Sequence, residues 1–241
     1  MSLISPAVLQ DLAPRGVLRA AINLGNPVLA QRNEQGALTG VSVALAQALA
    51  EELEVPLDLI PFEAAGKVFS TLQSDAWDVA FLAIEPVREA QLAFSHPYVV
   101  IEGTYLVAAD APYQRVEELD QPGLKLAVGK GAAYDLFLSR TLEHAELVRA
   151  NTSAAAVTLF LEQGLDAAAG VRQPLETAAA ANPRVRVLDG AFTSIRQAMA
   201  VPKSKTSGAA YVMGFVERMK AEGAIHRALA ANGQADVTVA S

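Results

Sequence analysis

The feature that most limits the fold of this chain is the apolar run Val79-Ala80-Phe81-Leu82-Ala83-Ile84, introduced by Asp78 and closed by Pro86. It has the length of a buried strand, and a proline two positions later stops it. Behind it come Arg88, a short amphipathic helix and the cluster Phe94-Ser95-His96-Pro97-Tyr98. Upstream, Gly16 to Ile22 and Leu57 to Phe62 read as strands. Helical periodicity runs from about Val43 to Leu53 and again over Val68 to Ser74. Strand, helix, strand, helix, strand with short connections implies a parallel sheet covered by helices. An arginine just past a strand end then stands where open α/β sheets leave a ligand crevice. Its permanent charge and forked donors suit a carboxylate.

A second unit of the same kind follows. Leu124 to Val128 is a strand, and Gly129-Lys130-Gly131-Ala132-Ala133-Tyr134 opens a helix to about Leu142. Leu147 to Ala150 is a strand, Asn151-Thr152-Ser153 offers an N-cap for a helix to Gln163, and Gly164 to Ala169 leads into another strand. Gly103 to Ala108, Val185 to Leu188 and Ile195 to Val201 read as strands, and Ala209 to Lys220 as the final helix. Ala76-Trp77-Asp78-Val79-Ala80-Phe81 and Gly164-Leu165-Asp166-Ala167-Ala168-Ala169 sit at matching places, which suggests repeat-like halves.

Composition excludes several classes. The 241 residues carry a net charge of -7 with interspersed signs, which argues against a nucleic-acid surface. There is no cysteine, so disulfides, thiol catalysis and cysteine-bound metals are ruled out. His96, His144 and His226 lack metal-ligand spacing, and no metal or other cofactor is expected. No segment approaches the roughly 18 apolar residues of a membrane span. The N-terminal stretch shows no signal peptide, because Gln10, Asp11 and Pro14 interrupt its apolar residues. The expected location is periplasmic if a signal has been removed and cytoplasmic if none existed.

The order Asp78, strand, Glu85-Pro86-Val87-Arg88, Phe94-Ser95-His96-Pro97-Tyr98 resembles the signature of type 2 periplasmic solute-binding proteins, amino-acid-binding branch (bacterial extracellular solute-binding proteins, family 3). Gly36-x-Leu38-Thr39-Gly40-Val41 and Gln197-Ala198-Met199-Ala200-Val201-Pro202-Lys203 resemble two further motifs of that family. The resemblance spans Gly16 to Gly233. It implies an α/β fold of two Rossmann-like lobes with a two-strand hinge and a ligand cleft between them. Lobe 1 would take residues 1–107 and 201–241, and lobe 2 residues 108–200.

The resemblance also implies a function: a substrate-binding component of an ABC-type uptake system, closing two lobes on a small anionic or zwitterionic ligand. Its further partner would be an ABC permease if the chain is exported. Arg88 would clamp the ligand carboxylate, with Ala83, Asn23, Asn26 and Phe62 lining the same side. The helix start would offer the Ala132 and Ala133 backbone amides to an anion, and Tyr105 and Tyr134 would be placed to touch the ligand.

The chain departs from the family pattern at two places. Glu85 stands where a serine or threonine is usual, and it either holds an ammonium or neutralises Arg88. Five positions after Asp166, where relatives place an ammonium-binding aspartate, stands Val171, with Arg172 beside it as a further contact or a solvated loop residue. A site that keeps the cation and loses the anion favours ligands lacking an amino group. Two other functions fit the resemblance. One is a cytoplasmic or receptor-linked sensing domain. The other is an enzyme of the cyclohexadienyl dehydratase kind, needing a general acid such as Glu85, Glu102 or Glu176.

Overall fold

A computed structural model describes residues 4–241. The chain divides into two compact units. The first runs to Phe62, resumes over Lys67–Val100 and returns over Arg196–Ser241; the second takes Glu63–Gly66 and Ile101–Ile195. Two long strands, Val99–Ala108 and Thr193–Pro202, each begin in one unit and end in the other.

In the first unit, strand Leu18–Asn23 pairs in parallel with Leu57–Phe62 on one side and Val79–Ala83 on the other. Strand Thr193–Pro202 runs antiparallel to Val79–Ala83, with Gln197 opposite Ala83 and Ala200 opposite Ala80. Every residue of Leu18–Asn23 and Val79–Ala83 is buried, as expected for central parallel strands with near-continuous apolar sequence. Helix Val41–Glu52 lays Val41, Leu45, Ala46 and Leu49 into the core at helical spacing. Its N-cap, Gly40, has φ +120°, and a Cβ there would lie 2.3 Å from the Leu29 carbonyl oxygen, so only glycine fits.

The second unit repeats this plan. Strand Lys125–Gly129 pairs in parallel with Glu146–Ala150 and with Ala167–Val171, which in turn lies antiparallel to Val99–Ala108. Thr152 caps helix Ser153–Gln163 by accepting from the Ala155 amide, as the sequence suggested. Leu106, Ala127, Ala156, Phe160, Ala168 and Leu175 form the core.

The repetition extends to single hydrogen bonds. In the first unit Asp78 donates its amide to the Arg19 carbonyl and accepts the Arg19 amide on its carboxylate. In the second, Asp166 does the same with Lys125. Asp78 is additionally gripped by the Arg19 guanidinium through two bonds of 2.9 and 2.7 Å, and both side chains are buried. These bonds raise the Arg19 pKa, against the desolvation that opposes it.

Four elements differ from the sequence reading. The helix expected behind Arg88 is instead the single turn Pro86–Glu89 that contains it, and strand Leu92–Phe94 follows. Arg172–Ala181 is a ten-residue helix rather than a loop, with its Leu175 buried. Gly164 is the left-handed C-cap of the preceding helix, so the strand begins only at Ala167. The final helix spans Thr206–Ala221, and another, Ala224–Ala231, follows it.

Asp120 accepts the amides of Glu143, His144 and Ala145 at 2.9, 2.8 and 2.9 Å. Partial burial pushes its carboxyl up, but these donors together outweigh that and hold it below the usual range. A lowered folded pKa contributes stability above the unfolded value, which is lost as pH falls through the folded one. Asp120→Asn should therefore cost about 1–2 kcal/mol at pH 7, with the difference from the parent shrinking below about pH 4; urea melts across that range check it. Asp78→Ala, which leaves the buried Arg19 guanidinium with Asp75 as its remaining partner, should cost about 3 kcal/mol in the same assay.

Candidate functional site

In the first unit, strand Val79–Ala83 is followed by Ile84, and the extended Glu85 precedes Pro86 at the first position of a one-turn helix, Pro86–Glu89. The turn is closed by the Glu85 carbonyl, which accepts the Arg88 and Glu89 amides at 2.8 and 2.9 Å. This folds the Arg88 side chain inward until it is only 1% exposed, with Nη1 donating to the Ala83 carbonyl at 2.9 Å. Burial pushes the guanidinium down to about 10, and the Glu85 carboxylate opposes that shift. Glu85 is itself buried. A buried cation beside a buried carboxylate is the strongest concentration of charge at this strand end, and a guanidinium is built for a second carboxylate.

Neighbouring strand ends bring the other first-unit candidates together. Asn23 closes strand Leu18–Asn23 directly opposite Phe62 in the register, and Phe62 accepts the Leu24 amide. Asn23 and Asn26 are buried, and their side-chain oxygens cap the amides of Gly25 and Val28 at 2.9 and 3.3 Å. These asparagines shape the loop. Phe62 is half-buried at the same edge.

In the second unit, the glycine turn leads into helix Ala133–Thr141 with Ala132 as an extended N-cap lacking a side-chain cap. The Gly131 amide donates to Asp135 and the Ala132 amide to the Gly129 carbonyl. Tyr134 is buried, its hydroxyl donating to Ser153 Oγ at 2.7 Å and accepting the Gly129 amide at 3.2 Å; burial pushes this hydroxyl up to about 12. Its role is to hold the turn. Val171 is buried and serves as the N-cap of helix Arg172–Ala181. Arg172 is held at 2.5 Å by both Glu102 Oε2 and the Gly190 carbonyl, with Glu176 at 3.7 Å. Gln173 Oε1 is buried with no hydrogen-bond partner.

The two strand ends correspond. Counted from Asp78 and Asp166, Glu85-Pro86-Val87-Arg88 aligns with Gln173-Pro174-Leu175-Glu176. Both segments follow the central strand of their unit and begin a helix. The charge at the Arg88 position is thus reversed in the second unit, where Glu176 lies beside Arg172. The signal for the missed helix was Pro174 in its first turn, the mark that Pro86 gives the first unit.

Among the described residues no group of three or more histidines, acids or cysteines is placed to hold a metal. The Phe-Ser-His-Pro-Tyr cluster is structural. Ser95 exchanges bonds with the backbone of Met199, Tyr98 is fully buried against Ser42, and His96 faces Glu217 at the surface. Trp77 is buried, its indole donating to Val68 O and Thr71 Oγ1.

The family model for bacterial extracellular solute-binding proteins, family 3, matches residues 18–233. The chain belongs to that family. Its fold is that of the type 2 periplasmic binding proteins. An amino-acid ABC transporter substrate-binding protein of Streptococcus pneumoniae, AbpA, solved with L-arginine, matches with a TM-score of 0.80 over 94% of this chain and 98% of its own, at 23% identity. An ancestral amino-acid-binding protein described as a precursor of cyclohexadienyl dehydratase matches with a TM-score of 0.76 and 26% identity, over 91% of this chain and 96% of its own. Among curated proteins, a cyclohexadienyl dehydratase of Pseudomonas aeruginosa is 30% identical over 159 residues, covering 61% of this chain and 59% of the relative. The L-cystine-binding protein TcyJ of Escherichia coli is 27% identical over 146 residues, 59% of this chain and 54% of the relative. In both cases the match spans less than two thirds of the relative's length.

The family assignment fixes a ligand-binding protein, and family members are typically extracellular. No helix among the described residues is long and apolar enough to cross a membrane. Arg172 is engaged on three sides within its own unit. Arg172→Ala should therefore lower stability by about 1 kcal/mol while leaving ligand affinity within about threefold; paired melting and calorimetry measure both.

Proposed function

We propose that this chain is the solute-binding component of an ABC-type uptake system and that its ligand is a small carboxylate clamped by Arg88. The observation that carries the reading is the buried Arg88 guanidinium, positioned by a one-turn helix at the end of the central strand. Desolvating a guanidinium is costly, and a ligand carboxylate accepting two parallel bonds compensates best. Glu85 sets the balance at this site. It either offsets Arg88 before the ligand arrives or receives an ammonium from it. The closure over the ligand that the family resemblance implies is part of this reading, as is an ABC permease as partner and a periplasmic location.

A second reading is favoured by the 30% identity to the Pseudomonas aeruginosa dehydratase. A dehydratase of this kind eliminates water and carbon dioxide from a cyclic acid and needs a general acid at the reacting hydroxyl. Of the three glutamates considered, Glu102 pairs with Arg172 and Glu176 lies 3.7 Å from it. Glu85 stands beside Arg88 instead.

A thermal-shift screen against amino acids, dicarboxylates, oxo-acids and aromatic acids tests the first reading. A ligand at about 100 times its Kd should stabilise the fold by about 2.7 kcal/mol. Arg88→Ala should abolish that shift while the unliganded protein still melts cooperatively, and an unaltered shift in the variant removes Arg88 from the site. Release of carbon dioxide from prephenate or arogenate would replace the transport reading with the enzymatic one.

A further inference from the structure

We propose that the first unit carries a second binding site, a pocket where its strand Val79–Ala83 begins, and that this site takes a small phosphate monoester with a hydroxylated body, of the sugar phosphate kind. The pocket is separate from the carboxylate clamp. The Arg88 guanidinium meets the Ala83 carbonyl at the end of that strand, whereas Asp78 and Asp75 line the pocket before its start.

The fold builds the pocket from segments far apart in the chain but all within the first unit. Asp75, in the left-handed region at φ 51°, ends the turn Leu72–Ser74 and sends the chain into Val79–Ala83. Strand Thr193–Pro202 runs antiparallel to Val79–Ala83, so its exit at Pro202 lies toward that strand's entry. Pro202 also stands opposite Leu92, and the Lys203 amide donates to the Gln91 carbonyl at 3.0 Å. Gln73 Nε2 then donates to Gln91 Oε1 at 3.2 Å across the chain. The space left between these segments has a volume of about 420 Å³, within the usual range of small-molecule sites.

Charge decides what the pocket takes. Its two carboxylates are already matched by arginines. Asp78 accepts three bonds from Arg19, and Asp75 accepts from Arg15 at 2.5 Å and Arg19 at 2.9 Å. Lys203 and Lys205 line the same pocket, and among the described residues neither forms an ion pair; Lys203 Nζ donates to the Glu89 carbonyl at 3.1 Å. Two unmatched ammonium groups thus share one pocket on a chain of net charge -7. A phosphate monoester carries close to two negative charges at pH 7 and strong acceptor oxygens. Ammonium groups bind phosphate as point charges, whereas a carboxylate is better served by a guanidinium fork.

The rest of the lining suits the body of such a molecule. Gln73, Gln91 and Ser204 present amides and a hydroxyl, and the Asp75 carboxylate can accept further bonds from ligand hydroxyls. Leu72 and Pro202 supply the apolar surface beside them. A bare phosphate leaves these groups unused, so the ester should bind more tightly than the free ion.

Calorimetric titration with ribose 5-phosphate, inorganic phosphate and ribose tests the site. Ribose 5-phosphate should bind with a Kd of about 1 mM or tighter and at least about tenfold more tightly than either fragment. Replacing both lysines together, Lys203→Gln with Lys205→Gln, should weaken it about tenfold or more. In Arg88→Ala the affinity should stay within about twofold, even though the carboxylate clamp is gone. Absence of binding overturns the proposal, and so does an affinity that survives the lysine substitutions. Inorganic phosphate binding as tightly as the ester reduces the pocket to an unspecific anion patch and overturns it as well. Loss of the ester in Arg88→Ala places the phosphate in the clamp and overturns the second site while leaving the clamp standing.

Discussion

The structure depends on a reciprocal pair of hydrogen bonds made by an aspartate at the start of each unit's central strand. Asp78 exchanges backbone and carboxylate bonds with Arg19, and Asp166 exchanges the same bonds with Lys125. Each pair fixes how far the central strand advances along its neighbour. A slip of one residue would turn every side chain to the opposite face. What emerges at the far end of the strand is therefore set by what is locked at its near end. In the first unit Glu85 and Arg88 emerge; in the second, Val171 and Gln173. The first unit strengthens its lock with a buried two-bond arginine–aspartate pair, 6% and 4% exposed, which makes that register costly to lose.

Much of this was legible in the amino-acid sequence because it is local. The run from Val79, the proline after Glu85 and the Asn-Thr-Ser cap before Ser153 each carry their signal within a few residues, and the structure builds each where the pattern places it. The helix Arg172–Ala181 was not read, because Arg172 and Gln173 look like polar loop residues. Its helical signal lies in Pro174 and the buried Leu175, and it becomes clear once the two units are aligned on their aspartates. Phe192 was not read for a different reason. Its ring packs over Gly103, a residue distant in the chain, and the Phe192 amide donates to the Gly103 carbonyl to hold the two together. Tyr134 shows the converse. An aromatic residue at a glycine turn suggests a ligand contact, yet its hydroxyl holds Ser153 and the Gly129 amide.

The two strand ends are chemically unlike although their backbones correspond. One carries a buried guanidinium with a carboxylate beside it. The other carries a valine and an arginine already held by its own neighbours. The family membership supplies ligand binding.

The most direct test of the central claim is a crystal structure of the protein with a carboxylate ligand found by screening. The account predicts both carboxylate oxygens within about 3.2 Å of Arg88 guanidinium nitrogens. A bound ligand whose carboxylate lies elsewhere, with Arg88 bonded only to protein atoms, would contradict it.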